Sequence, residues 1–315
     1  MLTLFAIPKA FTGHTGIIQR NAIRSWTLLR PRCEIILLGD DEGTAEVAEE
    51  FDVQHISQIA RNEFGTPLLN DMFATAQRRA SHNLLCFVNA DIILTSELLR
   101  AVERVSAWQE NFLMVGRRRD VAITEPWDFA RPDWEIRLRE YVLEHGRLRG
   151  EHAVDYFVFP KGLYDHVPPF AIGRPCYDSW LIYKPISRRY PVIDATNEVL
   201  ATHQNHDHSH FGLEGESYSL QEALKLDECQ RNYKLLGGEF RRFGVTDASH
   251  VLTATGECRR KYLWWRFAVL KKQVKRKITH EVLERTRPLR HRLGLRQSNL
   301  HALKTALTFT RPNRN

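Results

Sequence analysis

Asn89 and Asp91 stand two residues apart inside an otherwise apolar run, Asn83 to Leu94 (NLLCFVNADIIL). A carboxylate and an amide oxygen at that spacing can point the same way and hold one divalent cation. Burying an unpaired charge is very costly. The run is therefore expected to surface at Asn89 and Asp91, at the carboxyl edge of a sheet, where open α/β folds bind ligands. A polar strand end that caps the next helix is the plainer reading of the same residues. Four histidines, His203, His206, His208 and His210, sit close together in VLATHQNHDHSH. With no cysteine nearby they lack a usual structural-zinc pattern.

The elements that must position these residues are legible as alternating strands and helices. Leu2 to Ile7, Glu34 to Leu38 and Val53 to Ile56 read as short apolar strands. Gly16 to Leu29, Thr44 to Phe51 and Pro67 to Ala80 read as helices, the last with Thr66 as N-cap and Pro67 at its first position. The Asn83 run follows as the fourth strand, then a helix from Ser96 to Trp108 and a strand from Phe112 to Val115. This βαβ succession predicts a mainly parallel sheet with right-handed crossovers. Farther on, Asp178 opens a helix after Gly173, Arg174 and Pro175, Val192 to Ala201 is strand-like, and Ser219 to Leu236 is a polar helix.

Composition sets the outer bounds. The 315 residues are 43% hydrophobic and 26% charged, which is enough for a full core and one or two domains. The five cysteines show no CxxC spacing and read as reduced thiols of a cytoplasmic protein. The first residues carry no basic segment ahead of their short apolar run, and no window has the roughly 18 apolar residues of a membrane span. Charge is uneven: residues 259–315 hold 17 Lys and Arg against 2 acids, within a chain whose net charge is +7, so the first 258 residues are net acidic. That asymmetry predicts two regions, 1–258 as an α/β catalytic unit and 259–315 as a basic amphipathic helical extension.

No GxGxxG follows the first strand and no GxxxxGK[ST] occurs. A bound diphosphate would then need a metal to neutralise it. The order of a nucleotide-sized first turn (Pro8 to Gly13), an acid closing the second strand (Asp40) and Asn89-Ala90-Asp91 closing the fourth resembles the GT-A glycosyltransferases, the family-two-like branch in particular, over about residues 1 to 210. The resemblance implies a GT-A-like, Rossmann-type sheet flanked by helices. It further implies that Pro8, Lys9, Phe11 and Asp40 hold the nucleoside, and that Asn89, Ala90 and Asp91 meet ribose and metal-diphosphate. Asn89 stands where the strict motif has Asp. Asp178 resembles the catalytic base at the head of the acceptor-side helix, although an N-cap aspartate is the plainer alternative. His203, and after it His206, are the histidines the resemblance would add to the metal shell. Hard oxygen ligands then select Mn²⁺ or Mg²⁺.

Softer signals complete the expected site. Asn70 is placed to help hold the nucleotide. Arg117, in the triple-arginine segment 116–120, could meet phosphate or lie in a solvated turn. Asp155, heading an aromatic strand, suits sugar hydroxyls or a turn, and Trp180 is assigned with them to substrate contact. The function expected is transfer of a sugar from a nucleotide-diphosphate donor to a hydroxyl acceptor, with inversion, in polysaccharide or glycolipid assembly. Two rivals are a sugar nucleotidyltransferase and a non-catalytic adaptor working through the basic region. The adaptor would leave Asp91, Asp178 and His203 scattered. In the basic region, YLWWRFAVL (Tyr262 to Leu270) sits between basic clusters and suits an anionic membrane surface at the inner face of the membrane, with nucleic acid the less favoured partner.

Overall fold

A computed structural model describes residues 1–206, 219–238, 241–261 and 274. The order of elements is β1 (Leu2–Ala6), α1 (Gly13–Thr27), β2 (Glu34–Leu38), α2 (Thr44–Glu50), β3 (Gln54–Ile56), α3 (Leu69–Arg79), β4 (Leu84–Val88), β5 (Ile92–Ile93), α4 (Glu97–Trp108), β6 (Leu113–Val115) and β7 (Arg119–Val121). It continues with α5 (Trp134–His145), β8 (Arg147–Leu148), β9 (Tyr156–Pro160), α6 (Tyr177–Ser187), β10 (Val192–Asp194), β11 (Thr202–Gln204), α7 (Leu220–Ala223), α8 (Asp227–Leu236), β12 (His250–Leu252) and β13 (Cys258–Arg260).

The expected α/β architecture is present. Nine strands form one sheet in the order β13-β12-β10-β6-β9-β4-β1-β2-β3. Neighbours are parallel except where β9 runs against both β4 and β6, and where β13 runs against β12. Alternate residues of the central strands feed opposite cores, as a sheet covered on both faces requires. Leu4, Cys86 and Val88 pack on the side of α1 and α4, whereas Phe5, Leu85 and Phe87 pack on the side of α3 and α6. The second core is aromatic: Phe73 stacks on Phe159 with centroids 5.6 Å apart and meets Phe5 edge-on at 5.2 Å.

The Asn83 to Leu94 run does not continue as one strand. β4 ends at Val88, and Ile92–Ile93 joins a second, four-stranded sheet in the order β5-β11-β7-β8. The chain crosses between sheets at Asn89, Ala90 and Asp91, so the three residues occupy a junction. α1 anchors that crossing: Trp26 Nε1 donates to the Ile92 carbonyl at 2.9 Å, and the Leu94 N–H donates to Ser25 Oγ at 3.1 Å.

Several boundaries differ from the sequence reading: α1 runs Gly13–Thr27 and not Gly16 to Leu29, and the Ser219 to Leu236 helix is divided into α7 and α8. α3 starts at Leu69, not Pro67, because the Leu68 and Leu69 N–H groups are taken by the Ala60 and Phe170 carbonyls, which satisfies donors that a Thr66 cap would otherwise serve. The Val192 to Ala201 run breaks after Asp194, whose carboxylate accepts from the Thr196 N–H and hydroxyl and turns the chain, so His203 lies inside β11. The basic segment begins in a strand, since Arg259 and Arg260 pair in β13. Apart from Lys261 and Val274, the remainder of the predicted helical extension, with Trp264 and Trp265, lies outside the described residues. No helix among those described is long and apolar enough to cross a membrane.

Candidate active site

The small sheet sets the geometry of the site. His203 on β11 is paired in register with Ile92 of β5 on one side and with Asp120 of β7 on the other. This places the imidazole between two carboxylates: Nε2 is 3.5 Å from Asp91 Oδ2 and Nδ1 is 3.3 Å from Asp120 Oδ1. His206, just beyond β11, brings its own Nε2 to 3.0 Å from Asp91 Oδ2. The Asp91 backbone is fixed as well, because the fully buried Gln204 amide donates to its carbonyl at 3.0 Å and to that of Ile18 at 2.7 Å.

These contacts extend into a continuous polar relay. Arg118 Nε donates to Asp120 Oδ1 at 2.8 Å and Arg118 Nη1 to Asp155 Oδ2 at 2.7 Å, while Asn89 Nδ2 donates to Asp155 Oδ1 at 2.7 Å. Burial raises the cost of ionising Asp91, but the adjacent His203 and His206 outweigh it and hold the carboxyl well below its usual range. Burial and Arg118 both push the His203 imidazole down, and Asp91 and Asp120 overcome them, lifting it to about 9. The guanidinium of Arg118 is buried, yet Asp155 and Asp120 raise its pKa further.

Asp91, His203 and His206 offer one ligand atom each within 4.8 Å of one another. Asp91 Oδ1 is buried and accepts no hydrogen bond from the described residues. A buried anionic oxygen without a donor is costly by itself, and a cation held by these three side chains would satisfy it. The residues therefore fit a divalent metal. One carboxylate with two imidazoles is the expected set of Asp91, His203 and His206; it is softer than an all-oxygen shell, and between the two metals it suits Mn²⁺ better than Mg²⁺.

A cleft of about 1000 Å³ opens over this cluster. Pro8, Lys9, Asn89, Ala90, Asp91, Asp155, Asp178, His203 and His206 all line it, which brings together most of the expected site residues, and Asp91, Asp178 and His203 are not scattered. Asp178 sits in the first turn of α6 but is not its N-cap; Cys176 holds that position. Desolvation by burial raises the Asp178 pKa, and the nearby Asp155 adds to it. The N–H groups of Ser179 and Cys176 and the Arg242 charge act the other way, and the net position is about 6.

Five of the expected residues lie elsewhere. Phe11 is wedged between α1 and α2, where a Cβ on Gly16 would lie 2.7 Å from the Phe11 carbonyl oxygen and one on Gly43 2.9 Å from its Cβ. Asp40 points to a separate surface hollow, and its neighbour Asp41 lines the cleft instead; Arg61 bridges both at 2.5 and 3.2 Å. Asn70 keeps a buried Oδ1 without a partner but is not in the cleft wall. Arg117 offers only its backbone N–H, to Thr196, and it is Arg118 that turns inward. Trp180 is buried in the aromatic core beside Phe170 and Tyr164. Asp155 reaches the cleft already clamped by Arg118 and Asn89. Arg118, Asp120 and Gln204 are the residues that the sequence reading passed over.

No protein-family model matches this chain, and no curated protein does. Solved structures do match in fold. One is a mannosyltransferase from Pyrobaculum calidifontis in complex with GDP-Man and Mn²⁺, at 13% identity and TM-score 0.43, covering 67% of this chain and 58% of that one. Another is S. aureus TarS in complex with UDP-GlcNAc, at 13% identity and TM-score 0.45, covering 75% and 70%. A third is glucosyl-3-phosphoglycerate synthase from Mycobacterium tuberculosis with Mn²⁺, UDP and phosphoglyceric acid, at 14% identity and TM-score 0.45, covering 75% and 78%. All three neighbours hold a nucleotide or a nucleotide sugar, and two of them hold Mn²⁺.

Proposed function

We propose that this chain is a metal-dependent glycosyltransferase that moves a sugar from a nucleotide-diphosphate donor to a hydroxyl acceptor. The observation that carries the proposal is the convergence in one cleft of Asp91, whose buried Oδ1 has no hydrogen-bond partner among the described residues, the His203 and His206 imidazoles, and Asp178 with a pKa raised to about 6. Asp91, His203 and His206 would hold Mn²⁺ or Mg²⁺. When bound, the cation neutralises the donor diphosphate and the charge that grows on it as the sugar bond breaks.

The chain's own residues supply the rest. Pro8, Lys9 and Asp41, the last steadied by Arg61, frame the end of the cleft suited to the nucleoside. Asp178 takes the proton of the acceptor hydroxyl as its oxygen attacks the anomeric carbon opposite the departing diphosphate, which inverts that centre. With a pKa of about 6, Asp178 is about nine-tenths ionised at pH 7 and remains a stronger base than an ordinary carboxylate. We extend the reading to an acceptor from glycan or lipid-linked glycan assembly, with residues 259–315 resting on an anionic membrane surface at the cytoplasmic face. The support for that extension is the charge asymmetry and the Trp264-Trp265 pair.

The test is hydrolysis and transfer measured across a panel of UDP- and GDP-linked hexoses, with Mn²⁺, with Mg²⁺ and with chelator. Metal-dependent turnover of at least one donor, lost in Asp91→Ala, is the expected result. Unchanged metal-dependent UDP and GDP affinity in that variant would overturn the site assignment.

A further inference from the structure

The peptide that precedes the catalytic helix is held from an unexpected direction. α6 begins after Cys176, which adopts φ +91° and ψ −19°. A side chain other than glycine rarely occupies that region, and it persists only when the surroundings over-determine it. Prominent among the surroundings here is one amide. Asn232, on α8 and fully buried, accepts the Ala171 N–H on Oδ1 at 2.9 Å. Its Nδ2 donates to the carbonyls of Ala171 at 2.9 Å, Arg174 at 3.3 Å and Pro175 at 3.2 Å. Every polar atom of this side chain is thus spent on the backbone of the turn before Cys176.

The Pro175 carbonyl and the Cys176 N–H belong to the same planar peptide, so they point in opposite directions and cannot turn independently. Asn232 grips the carbonyl end. The N–H end belongs to the residue two before Asp178, and the Cys176 backbone is among the influences that lower the Asp178 pKa. One helical turn earlier on α8, Glu228 accepts from Arg174 at 2.8 Å and from Asn62 at 2.7 Å, which braces the same turn by its side chain.

We propose that Asn232 is the positioning residue for Asp178: it fixes the plane of the Pro175–Cys176 peptide and thereby the turn from which the first residues of α6, Asp178 among them, depart. The inference rests on Asp178 being the base of the proposed transfer, yet its first readout needs no turnover. Asp178 is faced by the charges of Asp155 and Arg242, and neither is altered by a change at Asn232.

The experiment follows the titration of the Asp178 carboxyl carbon by ¹³C NMR in the full chain, beside turnover on the UDP- and GDP-hexose panel and UDP affinity with Mn²⁺. In Asn232→Leu the Pro175–Cys176 peptide is no longer held and the Cys176 backbone dipole favours the charged form less, so the midpoint moves upward by about half a pH unit, roughly a threefold gain in proton affinity. Turnover falls about tenfold, while UDP affinity stays within about twofold, the pattern of an interaction realised in the transition state. Adding Cys176→Gly, which takes positive φ without a Cβ penalty, restores part of both. If Asn232→Leu does not fold, Asn232→Ser, which leaves a polar group in the pocket, carries the same readouts. Folded variants with the Asp178 midpoint and turnover both unchanged would overturn the proposal. Full turnover in Asp178→Asn would instead remove the base assignment and leave the titration result standing.

Discussion

Removing the Arg118 guanidinium should expose how much the site depends on its charge balance. Arg118 sits between Asp120 and Asp155 at 2.8 and 2.7 Å, and the three side chains are 16%, 14% and 8% exposed. Arg118→Met keeps most of the stem packing but leaves two carboxylates in a poorly solvated place. Breaking a buried pair in this way costs about 3–5 kcal/mol. For a domain of this size each kcal/mol moves Tm by about 2–4 °C, so a fall of at least about 6 °C is expected.

The pH dependence separates charge from shape. In the native protein His203 and Arg118 hold Asp120 below its ordinary pKa despite burial, so Asp120 contributes stability that is present above the ordinary carboxylate range and lost as pH falls through its depressed value. Without Arg118 the burial cost weighs more heavily, the carboxyl takes up its proton at higher pH, and the deficit of the variant should narrow between pH 7.5 and pH 5. Calorimetric melts at both values decide it. Arg118→Met combined with Asp155→Asn should recover part of the loss, since the amide removes one unpaired charge and its oxygen can still accept from Asn89. A Tm within about 2 °C of the parent, or a deficit that does not change with pH, would refute the buried-pair argument.

Asp91→Ala should abolish the Mn²⁺-dependent part of UDP or GDP binding in calorimetry, and it should also lower Tm at neutral pH in the absence of metal, because the ionised carboxylate is the partner of the buried His203 and of His206. Asp178→Asn should lower kcat by roughly 10² to 10⁴ while sparing donor affinity, and the parent's kcat should fall as pH drops below about 6, where the base becomes protonated. The same substitution should raise Tm at pH 7.5: the folded pKa lies above the unfolded one, so the stability linked to this group is present at low pH and lost as pH rises through about 6. The 315-residue chain should sediment with anionic liposomes and be released by salt, and Trp264→Ala with Trp265→Ala should weaken that binding without altering donor affinity. Absence of sedimentation at low salt would remove the membrane reading.

How far the site was legible depends on which physical signal marked each residue. Asp91 stood out because a charge interrupts an apolar run, and burial makes that pattern expensive unless the chain surfaces there. His203 and His206 were marked by composition. Arg118 and Asp120 carry no such mark: three consecutive arginines look alike in sequence, and the choice among them comes from register. β7 pairs with β11 so that Asp120 faces His203, a pairing between segments some 80 residues apart that no local pattern contains. The antiparallel insertion of β9 between β4 and β6 is hidden for the same reason, since an apolar strand reads identically in either direction.

Trp180 is different, because the information needed to place it was in the sequence. Residues of an α-helix are separated by about 100° around its axis, so Asp178 and Trp180 lie about 200° apart and cannot both face one cleft. Once Asp178 is given to the cleft side of α6, Trp180 must turn toward the sheet, and there it packs beside Phe170 and Tyr164. The two residues thus divide the helix between its tasks. The apolar face, with Trp180 and Leu181 buried, locks α6 onto the aromatic core. That anchoring lets the opposite face carry a carboxylate whose pKa is raised by burial without the helix end swinging out to solvate it. Replacing Trp180 should therefore act on turnover through the position of Asp178 as well as on stability.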